Sequence, residues 1–210
     1  MNQIIGQAEV IHELLAMHAH SQVLGILGGA GSLAAARFTL AYTEAWATTR
    51  QIKTDKDFPH IILNNFPNLG IDNRGKASLA TQAMLRVQVT KMAEQCHLIV
   101  PLCFSLEKHI TTLPTALRGK IKPLSYLVDQ AVTRKGLASE KFLLLGAKPT
   151  IKVWKSTAYK FSFPGVTEQT QIDQFIEKSL TGQHNPQDLR NWIQNTFDVP
   201  VILACTELTV

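Results

Sequence analysis

The chain has 210 residues, of which 45% are hydrophobic and 18% are charged, and its formal net charge is +5 with a pI near 9.2. This length suits one large domain or two lobes of about 100 residues each. The composition can supply a packed core, which excludes a disordered chain. The basic residues are scattered rather than clustered, so the positive charge favours a small anionic ligand over a nucleic acid.

Short apolar runs alternate with segments of helical periodicity along the chain. The predicted strands are residues 23–27, 60–64, 97–102, 121–124, 141–145 and 199–204. The predicted helices are residues 8–18, 32–49, 77–95, 128–135, 170–180 and 186–196. This alternation predicts an α/β protein whose parallel strands are covered by helices on both faces.

The start of the chain does not have the pattern of a secretory signal. Its first 20 residues contain no continuous apolar stretch and include Glu9 and Glu13. No later apolar run reaches the length of a membrane span. We therefore expect a cytoplasmic protein without a membrane partner, in which the three cysteines are reduced and available for chemistry.

Two pairs of segments suggest that the chain consists of two similar halves. Residues 23–29 resemble residues 141–147, and residues 98–103 resemble residues 201–205. Each half would begin with a strand that ends in glycine and would later place a cysteine at the end of a strand. Ligands of open α/β sheets bind at the carboxyl ends of the strands, so two facing lobes would bring both cysteines to one cleft. The alternative is that buried parallel strands resemble each other in composition alone.

The two strand-end cysteines are Cys103 and Cys205. Such a cysteine meets the start of the next segment, where backbone N–H groups favour the thiolate. One cysteine of this kind is usually structural, but two in equivalent positions indicate a reactive pair. Cys96 ends a helical segment, and we interpret it as a packing residue.

The glycine-rich turn at residues 28–32 joins a strand to a helix, and its N–H groups suit a carboxylate or a phosphate. The spacing of Gly29, Gly31 and Ala34 matches a dinucleotide fingerprint, but no acidic residue follows the next strand to bind a ribose. His12 and Glu13 lack the second histidine of a zinc-protease helix. No lysine is marked as a Schiff-base residue. We therefore expect neither a metal nor an organic cofactor.

Five segments in chain order resemble motifs of the aspartate/glutamate racemase family. They are residues 24–34, 61–67, 98–103, 143–150 and 201–208. The first is similar to the family's opening motif, GILGGMGPLAT, and the last is similar to its second cysteine motif, ILGCTEL. These two likenesses are the most specific of the five.

The resemblance implies a cofactor-independent amino-acid racemase with two pseudo-symmetric α/β lobes, here residues 21–118 and 119–210, and an active site in the cleft between them. Cys103 and Cys205 would be the catalytic pair. One would remove the α-proton as a thiolate while the other delivers a proton to the opposite face as a thiol. The expected substrate is a small amino acid such as aspartate or glutamate. Family members often form dimers, so a homodimer is a further expectation.

The resemblance also implies groups that hold the substrate, because the carbanion formed by deprotonation needs preorganised donors around its carboxylate. The predicted substrate-binding residues are Gly29, Ala30, Asn65, Arg74, Ser105, Thr150 and Thr206.

Several positions depart from the family pattern. Phe104, Ser105 and Glu107 stand where the family has Asn, Thr and His. Leu180 stands near the position of a lysine that binds the substrate's side-chain carboxylate in the family. These changes leave two alternatives open. One is a related isomerase or decarboxylase that acts on a non-amino-acid carboxylate, and the other is a ligand-binding homologue without activity.

The first 20 residues precede the first family-like segment, and the chain ends soon after the last one. They contain a short apolar pair, Ile4 and Ile5, before the predicted helix at residues 8–18. One hypothesis is a circular permutation in which the family's final strand–helix unit has moved to the front, since the termini of a domain often lie close together. The other is an unrelated N-terminal extension.

Overall fold

A computed structural model describes residues 3–28, 32–66, 78–148, 150–151 and 160–209 of the chain. The strands are β1 (Ile4–Ile5), β2 (Val23–Gly28), β3 (His60–Asn65), β4 (Leu98–Pro101), β5 (Lys141–Leu145), β6 (Lys160–Ser162) and β7 (Val201–Leu203). The helices are α1 (Gln7–Met17), α2 (Ser32–Thr49), α3 (Leu79–Gln95), α4 (Glu107–Ile110), α5 (Thr115–Arg118), α6 (Leu124–Arg134), α7 (Val166–Leu180) and α8 (Pro186–Thr196). Short 3₁₀ turns cover Asp55–Asp57 and Phe104–Leu106.

The strands form two parallel sheets. The first has the order β3-β2-β4, and the second has the order β1-β7-β5-β6. Every strand pair is parallel, so the carboxyl ends of the strands lie along one edge of each sheet. This arrangement confirms the predicted α/β class with parallel sheets flanked by helices.

The predicted strand at residues 121–124 is wrong. Ile121 makes only an isolated parallel bridge to Ile99 of the first sheet, and α6 begins at Leu124 directly after Pro123. Proline lacks the N–H that a continuing strand would need, and its fixed φ suits the start of a helix. The buried residues of α6 then recur with helical spacing; they are Leu124, Leu127, Val128, Ala131 and Val132. Strand β6 was not predicted, and its three residues form only the edge of the second sheet.

The N-terminal residues are built into the second sheet. Strand β1 pairs with β7, with Ile4 beside Val201 and Ile5 beside Ile202. Helix α1 packs against α6 and α2 and buries one apolar face, which consists of Val10, Ile11, Leu14 and Leu15. The circular-permutation hypothesis requires this placement of β1 and α1 in the second sheet and its helical cover. The permutation itself and the division into residues 1–20, 21–118 and 119–210 stay predictions.

A buried histidine links the end of α1 to α2. His18 is 1% exposed, with Nδ1 2.6 Å from Tyr42 Oη and Nε2 3.1 Å from the carbonyl of Gln22. A carbonyl can only accept, so Nε2 carries the proton and Nδ1 accepts from the tyrosine hydroxyl. Burial lowers the pKa of His18 and outweighs the Gln22 carbonyl, which raises it. The folded protein therefore favours the neutral ring.

This lowered pKa predicts acid sensitivity. The unfolded chain protonates His18 below a pH of about 6.5, whereas the folded chain resists protonation, so the free energy of unfolding should fall as the pH drops below that value. The positive charges of Arg50, His20 and His97 act in the same direction. His18→Gln should be less stable at pH 7.5 by about 1–3 kcal/mol, but its stability should depend less on pH between 7 and 5. Urea denaturation over this range measures both effects.

The matched control is His60→Gln, because His60 is exposed at the first residue of β3. This variant should keep the pH dependence of the wild type. Equal pH dependence in His18→Gln and the wild type would contradict the assignment.

Candidate active site

Cys103 and Cys205 lie just beyond the carboxyl ends of two strands, in different sheets. Cys103 is two residues past β4, and Cys205 is two residues past β7. Both are partly buried. Thr206 Oγ1 donates to the carbonyl of Leu102 at 3.4 Å and so links the two cysteine segments. The charge of Cys103 is the smallest of the causes that raise the pKa of Cys205. The structure therefore brings the two cysteine segments together through the Thr206–Leu102 hydrogen bond.

A second link joins the segments that follow β4 and β5. The hydroxyl oxygens of Ser105 and Thr150 lie 2.9 Å apart, and both residues are buried. Two hydroxyl groups that share one hydrogen bond use one proton between them, so one O–H of the pair stays available for a further acceptor. Ser105 and Thr150 therefore offer a hydrogen-bond donor beside the cysteine segments.

Asn65 ends β3 and contacts the first residue of α2. Its Nδ2 donates to the carbonyl of Ser32 at 3.2 Å. Gly28 ends β2, and a Cβ at that position would lie 2.5 Å from Ala35 Cβ and 2.8 Å from Asn65 Oδ1. A side chain at Gly28 would therefore clash, so this strand end requires glycine.

Three predicted substrate-binding residues lie outside the described residues. They are Gly29, Ala30 and Arg74. Their roles stay predictions.

Glu207 was not predicted as a site residue, yet it makes the most direct polar contact with a cysteine. Cys205 Sγ donates to Glu207 Oε2 at 2.9 Å, and Thr206 Oγ1 lies 3.3 Å from the same oxygen. Glu207 is 6% exposed, and within the described part of the chain its other oxygen, Oε1, has no hydrogen-bond partner. The sequence feature that could have identified Glu207 is its position within residues 201–208, two residues after Cys205. The site therefore holds a buried carboxylate as well as two thiols.

Burial keeps both cysteines protonated near neutral pH. It raises the pKa of Cys103 to about 11, although the N–H groups of Leu106 and Ser105 act in the opposite direction. Burial also raises the pKa of Cys205 well above its ordinary value, and the charge of Glu207 adds to the increase. The expected help from backbone N–H groups is therefore present at Cys103 but is outweighed by the loss of solvent.

A small cavity touches Cys205 and Thr206. Its volume is about 20 Å³, which is enough for one water molecule. Phe104 forms part of its wall and is buried. The aromatic ring at the position of the family's Asn therefore makes this side of the site apolar.

Glu107 stands where the family has histidine, and it caps a helix. Its Oε1 accepts from the backbone N–H of Ser125 at 2.8 Å. This contact lies in the first turn of α6, where the preceding Pro123 supplies no side-chain acceptor. Burial raises the pKa of Glu107 to about 7. Glu107 therefore fastens the Cys103 segment to α6, with a carboxyl group that titrates near neutral pH.

Glu107→Gln should stabilise the protein at high pH. The ordinary pKa of 4.5 rises to about 7 on folding, so ionisation of Glu107 opposes the folded state as the pH rises through this window. Glutamine keeps an oxygen acceptor for Ser125 without the charge. The free energy of unfolding at pH 8 should rise by about 1–3 kcal/mol, with little change at pH 4.5. Urea denaturation at both values tests this, with Glu44→Gln on the exposed face of α2 as the control. Destabilisation of Glu107→Gln at pH 8 would contradict it.

In the described ranges, no three His, Cys, Asp or Glu side chains come together as a metal-binding group. No helix there is long and apolar enough to cross a membrane. The expected independence from metals and cofactors stays a prediction.

The sequence matches no protein-family model and no curated protein at a significant level. The structure is similar to that of an aspartate racemase homologue from Pyrococcus horikoshii OT3, with a TM-score of 0.59 and 17% sequence identity. The match covers 89% of this chain and 86% of the other. At this identity the likeness shows the fold alone. The chain therefore has an α/β fold, with two parallel sheets, like that of an aspartate racemase homologue.

Proposed function

We propose that the protein is a cofactor-independent amino-acid racemase in which Cys103 and Cys205 act as opposed acid and base. The observation that carries the proposal is the position of the two cysteines. They follow parallel strands of two different sheets and are linked by the Thr206–Leu102 hydrogen bond. Racemisation needs a base on one face of the α-carbon and an acid on the other, and two equivalent groups can exchange these roles for the two enantiomers.

Glu207 can accept the thiol proton of Cys205 and so convert Cys205 into a base. Transfer of the thiol proton to Glu207 Oε2 breaks the S–H bond and forms an O–H bond, which leaves a thiolate and a neutral carboxyl group. The contact distance of 2.9 Å suits this transfer. The thiolate then takes the α-proton of the substrate. The ammonium group of a bound amino acid favours the thiolate, because a nearby positive charge offsets the cost of burying the anion.

Cys103 is suited to the opposite role. Its raised pKa keeps it a thiol near neutral pH, so it holds the proton that the carbanion needs on its other face. In the reverse direction Cys103 must lose that proton, and the N–H groups of Leu106 and Ser105 favour its thiolate. A carboxylate therefore assists Cys205 and backbone amides assist Cys103, and both sets of groups act in both directions because the reverse reaction passes through the same transition states.

The substrate carboxylate needs preorganised donors. The free hydroxyl proton of the Ser105–Thr150 pair is one such donor. Thr206 is a second candidate, and its one hydroxyl proton would turn from the Leu102 carbonyl or Glu207 to the substrate on binding. Asn65, Gly29, Ala30 and Arg74 complete the proposed binding set.

The proposed substrate is a small amino acid, with aspartate and glutamate as the first candidates. One observation favours a second candidate function, which is isomerisation or decarboxylation of a non-amino-acid carboxylate. Phe104 lines the cavity beside Cys205, and its ring provides no hydrogen bond for a polar substrate side chain. A cytoplasmic homodimer without metal or organic cofactor is part of the same proposal.

The first test is deuterium exchange at the α-carbon, followed by proton NMR in heavy water under reducing conditions. The panel consists of both enantiomers of aspartate, glutamate, alanine and serine. The wild type should exchange the α-proton of at least one pair. Cys103→Ala and Cys205→Ala should each lower racemisation by about 10²-fold or more, because each removes one of the two proton-transfer groups.

Cys96→Ala is the matched control, since Cys96 is buried just before β4 whereas Cys103 follows that strand, so the two cysteines lie at opposite ends of β4. It should retain activity. A folded wild type that exchanges no amino acid would contradict the racemase proposal. Turnover of an arylmalonate or of maleate in its place would support the second candidate function.

The second test is Glu207→Gln in the Cys96→Ala background. Removal of the charge should lower the pKa of Cys205, because Glu207 raises it in the wild type. The rate at which iodoacetamide alkylates Cys205, followed against pH by mass spectrometry of the Cys205 peptide, measures this shift apart from that of Cys103. Racemisation should nevertheless fall by about 10²–10⁴-fold in both directions, since glutamine cannot take the Cys205 proton and the equilibrium constant of one between enantiomers ties the two directions together.

Glu44→Gln on the exposed face of α2 is the matched carboxylate control, because the charge of Glu107 also raises the pKa of Cys103. An increase in racemisation by Glu207→Gln near neutral pH would show that Glu207 only suppresses the thiolate, and it would contradict the proton-transfer role.

A further inference from the structure

A groove runs between α1 and α2, apart from the two cysteines. Its volume is about 380 Å³, within the range of roughly 300–1,000 Å³ that is usual for small-molecule sites. The groove is lined by Gln7, Ala8, Ile11, Arg37, Ala41, Ala45, Pro186 and Thr209. Most of these side chains are apolar, and Arg37 is the only charged one among them.

The spacing of the α2 residues explains the shape of the groove. Arg37, Ala41 and Ala45 follow each other at intervals of four and therefore lie on one face of the helix. The two alanine methyl groups are too short to fill the space between the helices, and Ala8 and Ile11 of α1 form the opposite wall. The result is an apolar channel with a guanidinium group at one end of its α2 wall.

Arg37 is held in place but keeps donors free. Its Nη1 donates to Ser179 Oγ at 2.9 Å and lies 3.5 Å from the Ser179 carbonyl. Among the described residues no carboxylate forms an ion pair with Arg37. The hydrogen bonds that Arg37 makes to described residues use only its Nη1 atom. A guanidinium carries a planar fork of donors that matches a carboxylate. Arg37 is thus positioned by Ser179 and still able to bind an anion.

We propose that this groove binds a small monocarboxylate with an unbranched apolar tail. Arg37 binds the carboxylate, and the tail lies between the alanine face of α2 and Ile11 of α1. The single cation matches one negative charge, and the apolar walls favour a hydrocarbon body over a second charged group. Gln7 and Thr209 provide polar atoms at the rim. The site does not depend on the proposed racemase activity, because it contains neither cysteine.

The test uses hexanoate as the probe and hexanamide as its neutral counterpart, titrated into ¹⁵N-labelled protein and followed by two-dimensional NMR. Hexanoate should cause saturable shifts at the amides of Ala8, Ala41 and Ala45. Hexanamide should bind more weakly by roughly tenfold or more, because it cannot form the charge-assisted pair. The same titration on Cys205→Ala should give the same affinity, which separates this groove from the cysteine site.

Two variants address the groove from different sides. Arg37→Gln should weaken hexanoate by roughly tenfold or more while leaving hexanamide unchanged. Ala45→Leu keeps Arg37 and fills the channel, so it should weaken both probes. Arg118→Gln, on the exposed helix α5, is the control and should bind both probes like the wild type. Thermal unfolding of each variant checks that it is folded.

Three results would overturn the proposal. The first is the absence of saturable shifts in the wild type. The second is equal affinity for hexanoate and hexanamide. The third is the appearance of shifts at the groove on protein dilution but not on addition of hexanoate, which would show that the groove is a contact between copies of the chain.

Discussion

The parallel pairing of the strands is the constraint on which the site depends. Because β4 and β7 are both parallel to their neighbours, each ends at the carboxyl edge of its sheet, and a cysteine follows each end by two residues. The hydrogen bond from Thr206 to Leu102 and the contact of Ser105 with Thr150 then connect segments from different sheets. The two cysteine segments are therefore joined through the architecture, although they lie far apart in the sequence.

Burial of the two cysteines opposes the formation of the thiolate that the proposed reaction needs. A racemase needs a thiolate, whereas loss of solvent raises the pKa of both cysteines. Glu207 has two opposed effects on Cys205. Its charge disfavours the thiolate, and its oxygen at 2.9 Å can accept the thiol proton. A substrate ammonium group would shift this balance toward the thiolate, so the base would form only when the substrate is bound.

The fold class and the strand-end positions of the two cysteines could be predicted from sequence because their signals are local. Apolar runs such as residues 141–145 identify buried strands, and a cysteine directly after such a run is placed at a strand end. The strand at residues 121–124 was mispredicted although the sequence contains evidence against it. Pro123 stands inside this run, and a proline argues against a strand and suits the start of a helix.

Contacts between distant segments could not be predicted in the same way. In the sequence, Glu107 only replaces the histidine of the family motif. In the structure, it caps α6 through the backbone N–H of Ser125. Arg37 reads as an ordinary helix-surface residue, and only the packing of α2 beside α7 brings it to Ser179 and to the groove. The roles of Glu107 and Arg37 depend on which helices pack together, and the periodicity of a single segment does not determine that packing.

The most direct test of the two-cysteine account is the distribution of deuterium at low conversion. One pure enantiomer is incubated with the protein in heavy water, and the substrate and product are separated by chiral chromatography and analysed by mass spectrometry. If two different groups remove and return the proton, the product carries deuterium at the α-carbon while the remaining substrate keeps its original hydrogen. Product that retains the original hydrogen, or deuterium that enters both pools equally, would contradict the opposed roles of Cys103 and Cys205.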